Sequence, residues 1–283
     1  MLAGAALLPI LPGIGSAKAR PRIASLDYAL AETLVALGHP PIALASAADW
    51  GRWVVEPKLP EGVVDLGSSL EINFELLAKL EPDLILTTDY VRRQEPALRR
   101  IADTVRLTLY EPGALPLDRA YAAARTLGDR LSLGPAADAL IARADRHFDV
   151  VSRRVRALSP PPVLLVNFLD PRHVRVYGGT GLFQNVLDRI GLENAWRGEA
   201  NYWGFATVGI EDLATRDDLR LLAFDPVPPH VWPTLRESPL WTRLPFVRAG
   251  AVTVLPPVLT FGAIPSAMRF ARLVVDALEG RAT

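Results

Sequence analysis

The stretch that decides the fold is Pro135–Leu158, PAADALIARADRHFDVVSRRVRAL. Its apolar positions are Ala137, Leu140, Ala144, Phe148, Val151, Val155 and Leu158. Steps of three and four place them on one face of a single helix. Pro135 suits a first helical turn, where its missing N–H costs nothing. Ser159 and three prolines, Pro160–Pro162, end the run. The other face is ionic, and Asp149 and Arg153 are spaced for an i,i+4 pair. Sequence of α/β character lies on both sides, so the stretch predicts a rigid spine between two lobes. A long helix inside one larger domain is the competing arrangement.

The chain has 283 residues, half of them apolar, enough for two lobes with substantial cores. Lysine and arginine total 31 and the acids 31, so no net charge recruits nucleic acid or an anionic membrane. There are no cysteines, which excludes thiolate metal sites, disulfides and redox pairs. Twenty-five prolines stiffen the connections and argue for lobes that move little.

The start of the chain is distinct. Leu2–Ile14 is apolar but broken by proline and glycine, and Ala17-Lys18-Ala19 has the small-x-small pattern of a processing site. No basic residue precedes the apolar run. Residues 1–19 read as a truncated signal peptide, with a mature chain from Arg20 that is exported; a core element is the alternative. The division that follows is 20–134 for a first α/β lobe, 135–158 for the helix and 159–283 for a second α/β lobe.

Within the first lobe, strands are expected at Arg22–Leu26, Ile42–Ser46, Leu84–Thr87 and Val105–Leu109. Helices are expected at Tyr28–Leu37, Phe74–Leu80, Pro96–Ala102 and Leu117–Leu131, with Trp50 and Trp53 in a loop. In the second, strands are expected at Val163–Asn167, Arg175–Tyr177, Leu219–Phe224 and Val252–Leu255, and helices at Leu182–Ile190 and Ser266–Leu278. Gly178-Gly179-Thr180-Gly181 reads as a tight turn with Thr180 capping the next helix. A phosphate-binding turn is the alternative, but no Gly-Lys-Ser/Thr follows. The halves also echo each other. Glu75–Asp89, ELLAKLEPDLILTTD, aligns without a gap on Glu211–Asp225, EDLATRDDLRLLAFD, each read as helix, charged turn and buried strand.

Catalytic chemistry is not legible. The four histidines are scattered, and neither Gly-x-Ser-x-Gly nor His-Glu-x-x-His occurs. What stands out is aromatic: Trp50 and Trp53 in one half, and NAWRGEANYWGF (Asn194–Phe205) with Phe261 in the other. Aromatic loops from two lobes suit the walls of a cleft for a large, partly apolar ligand. Trp196 is expected in a core, and Trp203 in the pocket.

These residues resemble those of the periplasmic ferric-hydroxamate siderophore-binding proteins, the substrate-binding components of iron-uptake ABC transporters. The matching segments are RWVVEPKLP (Arg52–Pro60), FLDPRHVRVYG (Phe168–Gly178), LFQNVLDRIGLENAWRGEANYWG (Leu182–Gly204), PLWTRLPFVRAG (Pro239–Gly250) and FGAIPSAMRFARLV (Phe261–Val274). The resemblance implies two α/β lobes joined by one long helix, with a shallow cleft between them. It implies a ligand already wrapped around ferric iron, no cofactor or metal ligand of the protein's own, and no enzymatic activity. It also implies a monomer that delivers its ligand to a membrane permease driven by an ATPase. Position by position, it assigns Trp53, Trp203 and Phe261 to the pocket, with Tyr90 (or Val91) in the first lobe. An arginine that holds the iron-bound oxygens in relatives falls on Ser69. Two tryptophans of relatives fall on Leu259 and Thr87. Arg52, Arg92 and Arg93 are the candidates for a replacement cation, each alternatively a solvated surface charge. Glu211 and, with a one-residue shift, Glu95 fall where relatives dock on the permease. Another iron chelate, a corrinoid or haem is the alternative ligand, and an α/β enzyme with a glycine-held phosphate the more distant one.

Overall fold

A computed structural model of the protein describes residues 20–281; the signal-peptide expectation for residues 1–19 lies outside them. The first lobe contains β1 (Ile23–Ser25), α1 (Tyr28–Ala36), β2 (Ala43–Leu44), α2 (Trp50–Trp53), β3 (Val64–Asp65), α3 (Phe74–Lys79), β4 (Leu84–Thr87), α4 (Glu95–Leu98), β5 (Asp103–Arg106) and α5 (Pro116–Arg130). Helix α6 (Gly134–Leu158) follows. The second lobe contains β6 (Val163–Phe168), β7 (His173–Tyr177), α7 (Leu182–Ile190), β8 (Phe205–Gly209), β9 (Arg220–Phe224), α8 (Val231–Glu237), α9 (Pro239–Thr242), α10 (Pro245–Arg248), β10 (Val252–Leu255) and α11 (Ile264–Leu278).

Each lobe is built on one five-stranded sheet, ordered β3-β2-β1-β4-β5 and β10-β9-β6-β7-β8. Every pairing in the first sheet is parallel. In the second, β10, β9 and β6 are parallel, but β7 runs antiparallel to both β6 and β8. The sequence echo is topological: β4 lies beside β1 and β9 beside β6. Its helical part differs, because Ile210–Leu213 closes only a 3₁₀ turn where Phe74–Lys79 forms an α-helix.

Helix α6 is about 37 Å long at 1.5 Å per residue and buries Ala137, Leu140, Ala144, Phe148, Val151, Ser152 and Val155. Leu158, at its exposed end, does not join that face. It packs on α5, α7 and α11, and its core takes in both lobes: Leu30 and Leu86 of the first, Leu165 and Phe224 of the second. The ionic face is used for packing as well as solvation. Asp149 pairs with Arg189 of α7 at 2.6 Å rather than with Arg153, and Arg154 reaches Asp276 of α11 and Glu279 just past its end at 2.6 and 2.7 Å. The outer faces of the two sheets carry their own separate cores, around Leu77 and Ile85 in one lobe and Trp241 and Phe246 in the other.

Local chemistry sets several ends. The Asp27 carboxylate caps α1 by accepting from the Leu30 N–H at 3.1 Å, and Asn73 caps α3 through the Leu76 N–H at 2.9 Å. Gly191, at φ +73°, ends α7 in the left-handed conformation that glycine adopts freely.

Candidate functional site

The loop between β10 and α11 is where the lobes meet. The Tyr110 hydroxyl, just beyond β5, donates to the carbonyls of Gly262 (2.7 Å) and Thr260 (3.2 Å). Its phenol is held well above the usual tyrosine range by burial, with the Glu32 and Asp27 charges adding to it, so it acts here as a donor. Nearby, Glu32 of α1 is fully buried against the start of α11. Its carboxylate accepts from the backbone N–H of Ala263 and Ser266 and, at 2.6 Å, from the Ser266 hydroxyl. Burial, only partly offset by those donors, pushes the Glu32 carboxyl up to about 7 and that of Asp27 up to about 6. A third tie joins Glu56 to Arg269 and Arg272 of α11 at 2.7 and 2.8 Å.

An aromatic wall grows from this junction. Trp203 lies 6.1 Å from Tyr110, nearly parallel to it, and 5.4 Å from Phe261, edge to face. Tyr110 and Phe261 are 5.5 Å apart, and Phe205 lies 6.2 Å from Phe261. Tyr202, 42 % exposed, sits on Trp203 at 4.8 Å. Trp203, Phe205 and Phe261 are each half-buried, packed on the interlobe core with part of the ring left free. A side chain fixed on one side and free on the other offers contact area at little entropic cost, which is what a ligand wall needs.

The sequence seats this wall by glycine. The Trp203 loop is an Asn201-centred turn: the Asn201 carboxamide accepts from the Trp203 N–H at 3.0 Å and the Phe205 N–H at 3.3 Å. Gly204, at φ +85°, lies directly on Gly181; a Cβ on Gly181 would meet the Gly204 Cα at 2.7 Å. Gly178 donates its N–H to the Gly204 carbonyl at 3.1 Å. The glycine turn is therefore the bed of the Trp203 loop. Thr180 does not cap α7, where Gly181 occupies the cap position without a side-chain bond.

The other site expectations sort by position. Trp203 and Phe261 share the wall, as described. Trp53 is 38 % exposed on α2 with the exposed Arg52 guanidinium 4.8 Å above its ring, outside ring contact with Trp203 or Phe261. Its neighbour Trp50 is a core residue, 3 % exposed, edge-on to Tyr28 at 5.6 Å and donating its indole N–H to the Pro57 carbonyl. Ser69 and Tyr90 sit on adjacent segments: Gln94, in the 3₁₀ stretch that also carries Tyr90, donates to the Ser69 and Leu70 carbonyls. Tyr90 is 59 % exposed, and Arg92 and Arg93 are exposed on the same stretch. Leu259 packs on the Trp50 cluster, and Thr87 is buried, donating to Glu95 at 3.1 Å.

Glu95 requires a correction. It is 4 % exposed and forms a two-point pair with Arg106, at 2.5 and 2.6 Å. Those bonds hold its carboxyl below the usual range. A carboxylate held this way braces the first lobe's frame and does not stand free on the surface as a docking acid was expected to. Glu211 is exposed at the start of its 3₁₀ turn. It lines an open groove with Asp170, Arg172, His173 and Glu237, charged and without Phe, Tyr or Trp, unlike the interlobe wall.

Sequence reasoning missed Tyr110 as a wall residue. The lobe-joining role of Tyr110 depends on a contact 150 residues away. Tyr202 and Phe205 were visible only as members of one aromatic run. Among the described residues no group of His, Asp and Glu could hold a metal ion, and no helix is long and apolar enough to cross a membrane.

The periplasmic binding protein model matches residues 23–259, most of the chain and both sheets. The chain belongs to the periplasmic binding protein family. It is 35 % identical over 286 residues to the iron(3+)-hydroxamate-binding protein FhuD of Escherichia coli K12, an alignment covering 100 % of this chain and 96 % of that one. Its fold is similar to that of the siderophore-binding protein FhuD of Vibrio cholerae bound to Fe3+–Desferal, with a TM-score of 0.86 and 26 % identity over 92 % of this chain and 98 % of that chain. It is also similar in fold to the petrobactin-binding protein YclQ of Bacillus subtilis, with a TM-score of 0.75 and 19 % identity over 92 % of each. This binding protein thus has two α/β lobes on a single helical spine, the architecture expected from Pro135–Leu158.

Proposed function

We propose that this protein captures a ferric hydroxamate siderophore between its lobes in the periplasm and delivers it to an ABC permease driven by an ATPase. The observation that carries the reading is the full-length likeness to the E. coli hydroxamate-binding protein. The half-exposed wall of Trp203, Phe205 and Phe261 gives the ligand a place. The iron arrives already enclosed by chelating oxygens, so the protein supplies ring contacts and donors to the outside of the complex. The protein acts as a monomer, and exposed Glu211 contacts the permease.

The test is quenching of Trp203 fluorescence in a titration with ferrichrome, ferrioxamine B, ferric enterobactin, haem and cobalamin. Saturable quenching by the hydroxamates at micromolar or lower concentration, absent in Trp203→Phe, supports the reading. Saturation by haem or cobalamin alone overturns it.

A further inference from the structure

The second lobe holds a half-buried cation that, among the described residues, has no counter-charge. Arg175 lies in the middle of β7, opposite Asn167 of β6 and Thr207 of β8. Alternation along HVRVY turns Val174 and Val176 into the outer core and puts Arg175 on the same face as Tyr177, toward the spine. Its guanidinium stacks 4.1 Å over the Phe205 ring. Its Nε is buried without a hydrogen-bond partner, and among the described residues no carboxylate pairs with the group. Of the surrounding polar groups, Tyr177 donates its hydroxyl to the Asn167 carboxamide at 2.6 Å and accepts from Thr260 at 3.2 Å, and Asn167 donates to the Phe224 carbonyl. The Tyr177 phenol, raised by burial, is drawn partly back by Thr260 and by Arg175, so the guanidinium meets a neutral hydroxyl and no carboxylate.

Three other arginines withdrawn from water have carboxylate partners: Arg106 has Glu95, Arg154 has Asp276 and Glu279, and Arg269 has Glu56, while Arg220, whose Nε is also buried without a partner, donates to the Ala277 carbonyl. Removing a cation from bulk water without a counter-charge is costly. Stacking on Phe205 fixes the guanidinium plane, so its remaining N–H groups are oriented in advance. Phe205 belongs to the wall through Phe261, and Thr260 belongs to the loop that Tyr110 holds. The free cation therefore stands at the wall, on the second lobe, while the first-lobe candidates Arg52, Arg92 and Arg93 are all exposed.

We infer that Arg175 is the ligand-binding cation of this protein, donating from the second lobe to the anionic oxygens around the ferric ion. The inference rests on the proposed siderophore reading. It makes a specific distinction: the iron-bound hydroxamate oxygens carry negative charge, whereas the iron-free hydroxamic acid is neutral near pH 7. Arg175 discriminates the loaded chelator from the empty one.

The experiment is a fluorescence titration of the full chain with ferrioxamine B, ferrichrome and iron-free desferrioxamine B. Wild type is compared with Arg175→Gln, Arg175→Lys and the triple variant Arg52→Gln/Arg92→Gln/Arg93→Gln, each checked for an unchanged melting profile. Arg175→Gln should weaken both ferric complexes by roughly 10- to 100-fold, the scale of a lost charged hydrogen bond, and the iron-free chelator by less than about two-fold. Arg175→Lys should fall between, and the triple variant should match wild type. If Arg175→Gln does not fold, Arg175→Met, which leaves no unpaired donor, takes its place in the same comparison. A folded Arg175 variant that binds both ferric complexes within two-fold of wild type overturns the inference while leaving the siderophore reading intact. So does equal weakening of ferric and iron-free chelator. Wild type that binds neither ferric hydroxamate overturns both.

Discussion

The two lobes start from the same plan and part at one strand. In the first lobe, α1 carries the chain from β1 back to a parallel β2. In the second, the four residues Leu169–Arg172 turn β6 straight into an antiparallel β7. A helical crossover hides both faces of a sheet, whereas a hairpin leaves the new strand's alternate residues available. The consequence is visible in composition. The corresponding two strands of the first lobe, Ala43–Leu44 and Val64–Asp65, are two residues long and contribute nothing to the wall. Those of the second, His173–Tyr177 and Phe205–Gly209, supply Arg175, Tyr177 and Phe205. The first lobe uses its buried charges for structure, Glu95 with Arg106 inside it and Glu32 and Glu56 across the junction, and lends the wall Tyr110. On the proposed reading, one lobe serves as frame and the other as recognition surface.

The sharpest way to break that division is to exchange the roles of two tryptophans. Trp50→Ala should destabilise the protein by about 3–5 kcal/mol, the range for deleting a large buried aromatic, read as a lowered midpoint in urea. A loss below about 1 kcal/mol with collapsed ligand affinity would make the first lobe a recognition surface too.

Next in size is the junction itself. The Glu32 carboxyl sits near 7 in the folded protein against an ordinary 4.5. A raised carboxyl means that the folded state holds the proton more tightly, so the contribution is full below about 4.5 and is lost as pH rises through 7. Asp27, raised to about 6, acts in the same direction. Stability should therefore fall between pH 5 and pH 8, by on the order of 3 kcal/mol. Glu32→Gln, which keeps an acceptor for the Ala263 N–H and offers the Ser266 hydroxyl an N–H in place of the oxygen it donates to, should flatten that slope. Thermal melts across this range check it, and an identical slope in the variant would remove Glu32 as its source.

On the recognition side, Trp203→Ala should weaken ligand binding by roughly 1–3 kcal/mol, the scale for burying a large apolar side chain, with little change in stability. Trp53→Ala, on the exposed rim, should cost less than about 1 kcal/mol of binding. Calorimetric titration separates them, and a larger effect at Trp53 would move the site toward the first lobe. The smallest effect on binding belongs to Glu211. Glu211→Lys should leave siderophore affinity unchanged and reduce uptake in cells, because it places like charge against a basic docking partner. Normal uptake by that variant would remove Glu211 from the permease interface.

How much of this was legible depends on how far each contact reaches along the chain. The spine, β4, α7 and β10 were readable to within a residue, because strong periodicity or an uninterrupted apolar run marks them. Strand β8 was not. FATVG has no clean alternation and is exposed or half-buried along its length. Helices α8, α9 and α10 were also missed; each is short, and two of them begin at prolines, Pro239 and Pro245. Trp50 and Trp53 lie three residues apart, and composition cannot say which one faces the core. Arg175 did carry a signal. Alternation in HVRVY puts it on the face of Tyr177, the wall side of the strand, which a reading for apolar content passes over.

The three ties across the junction have a consequence for traffic at the membrane. Tyr110 on Thr260 and Gly262, Glu32 on Ala263 and Ser266, and Glu56 on Arg269 and Arg272 all fasten the same short stretch of the second lobe to the first. With the helical spine they leave little hinge for a large closing motion. A carrier that keeps its outline presents nearly the same outer surface when empty as when full. Empty and loaded copies should then compete for one docking platform on comparable terms. Uptake would saturate, and then decline, as unloaded carrier is supplied in excess over its cargo.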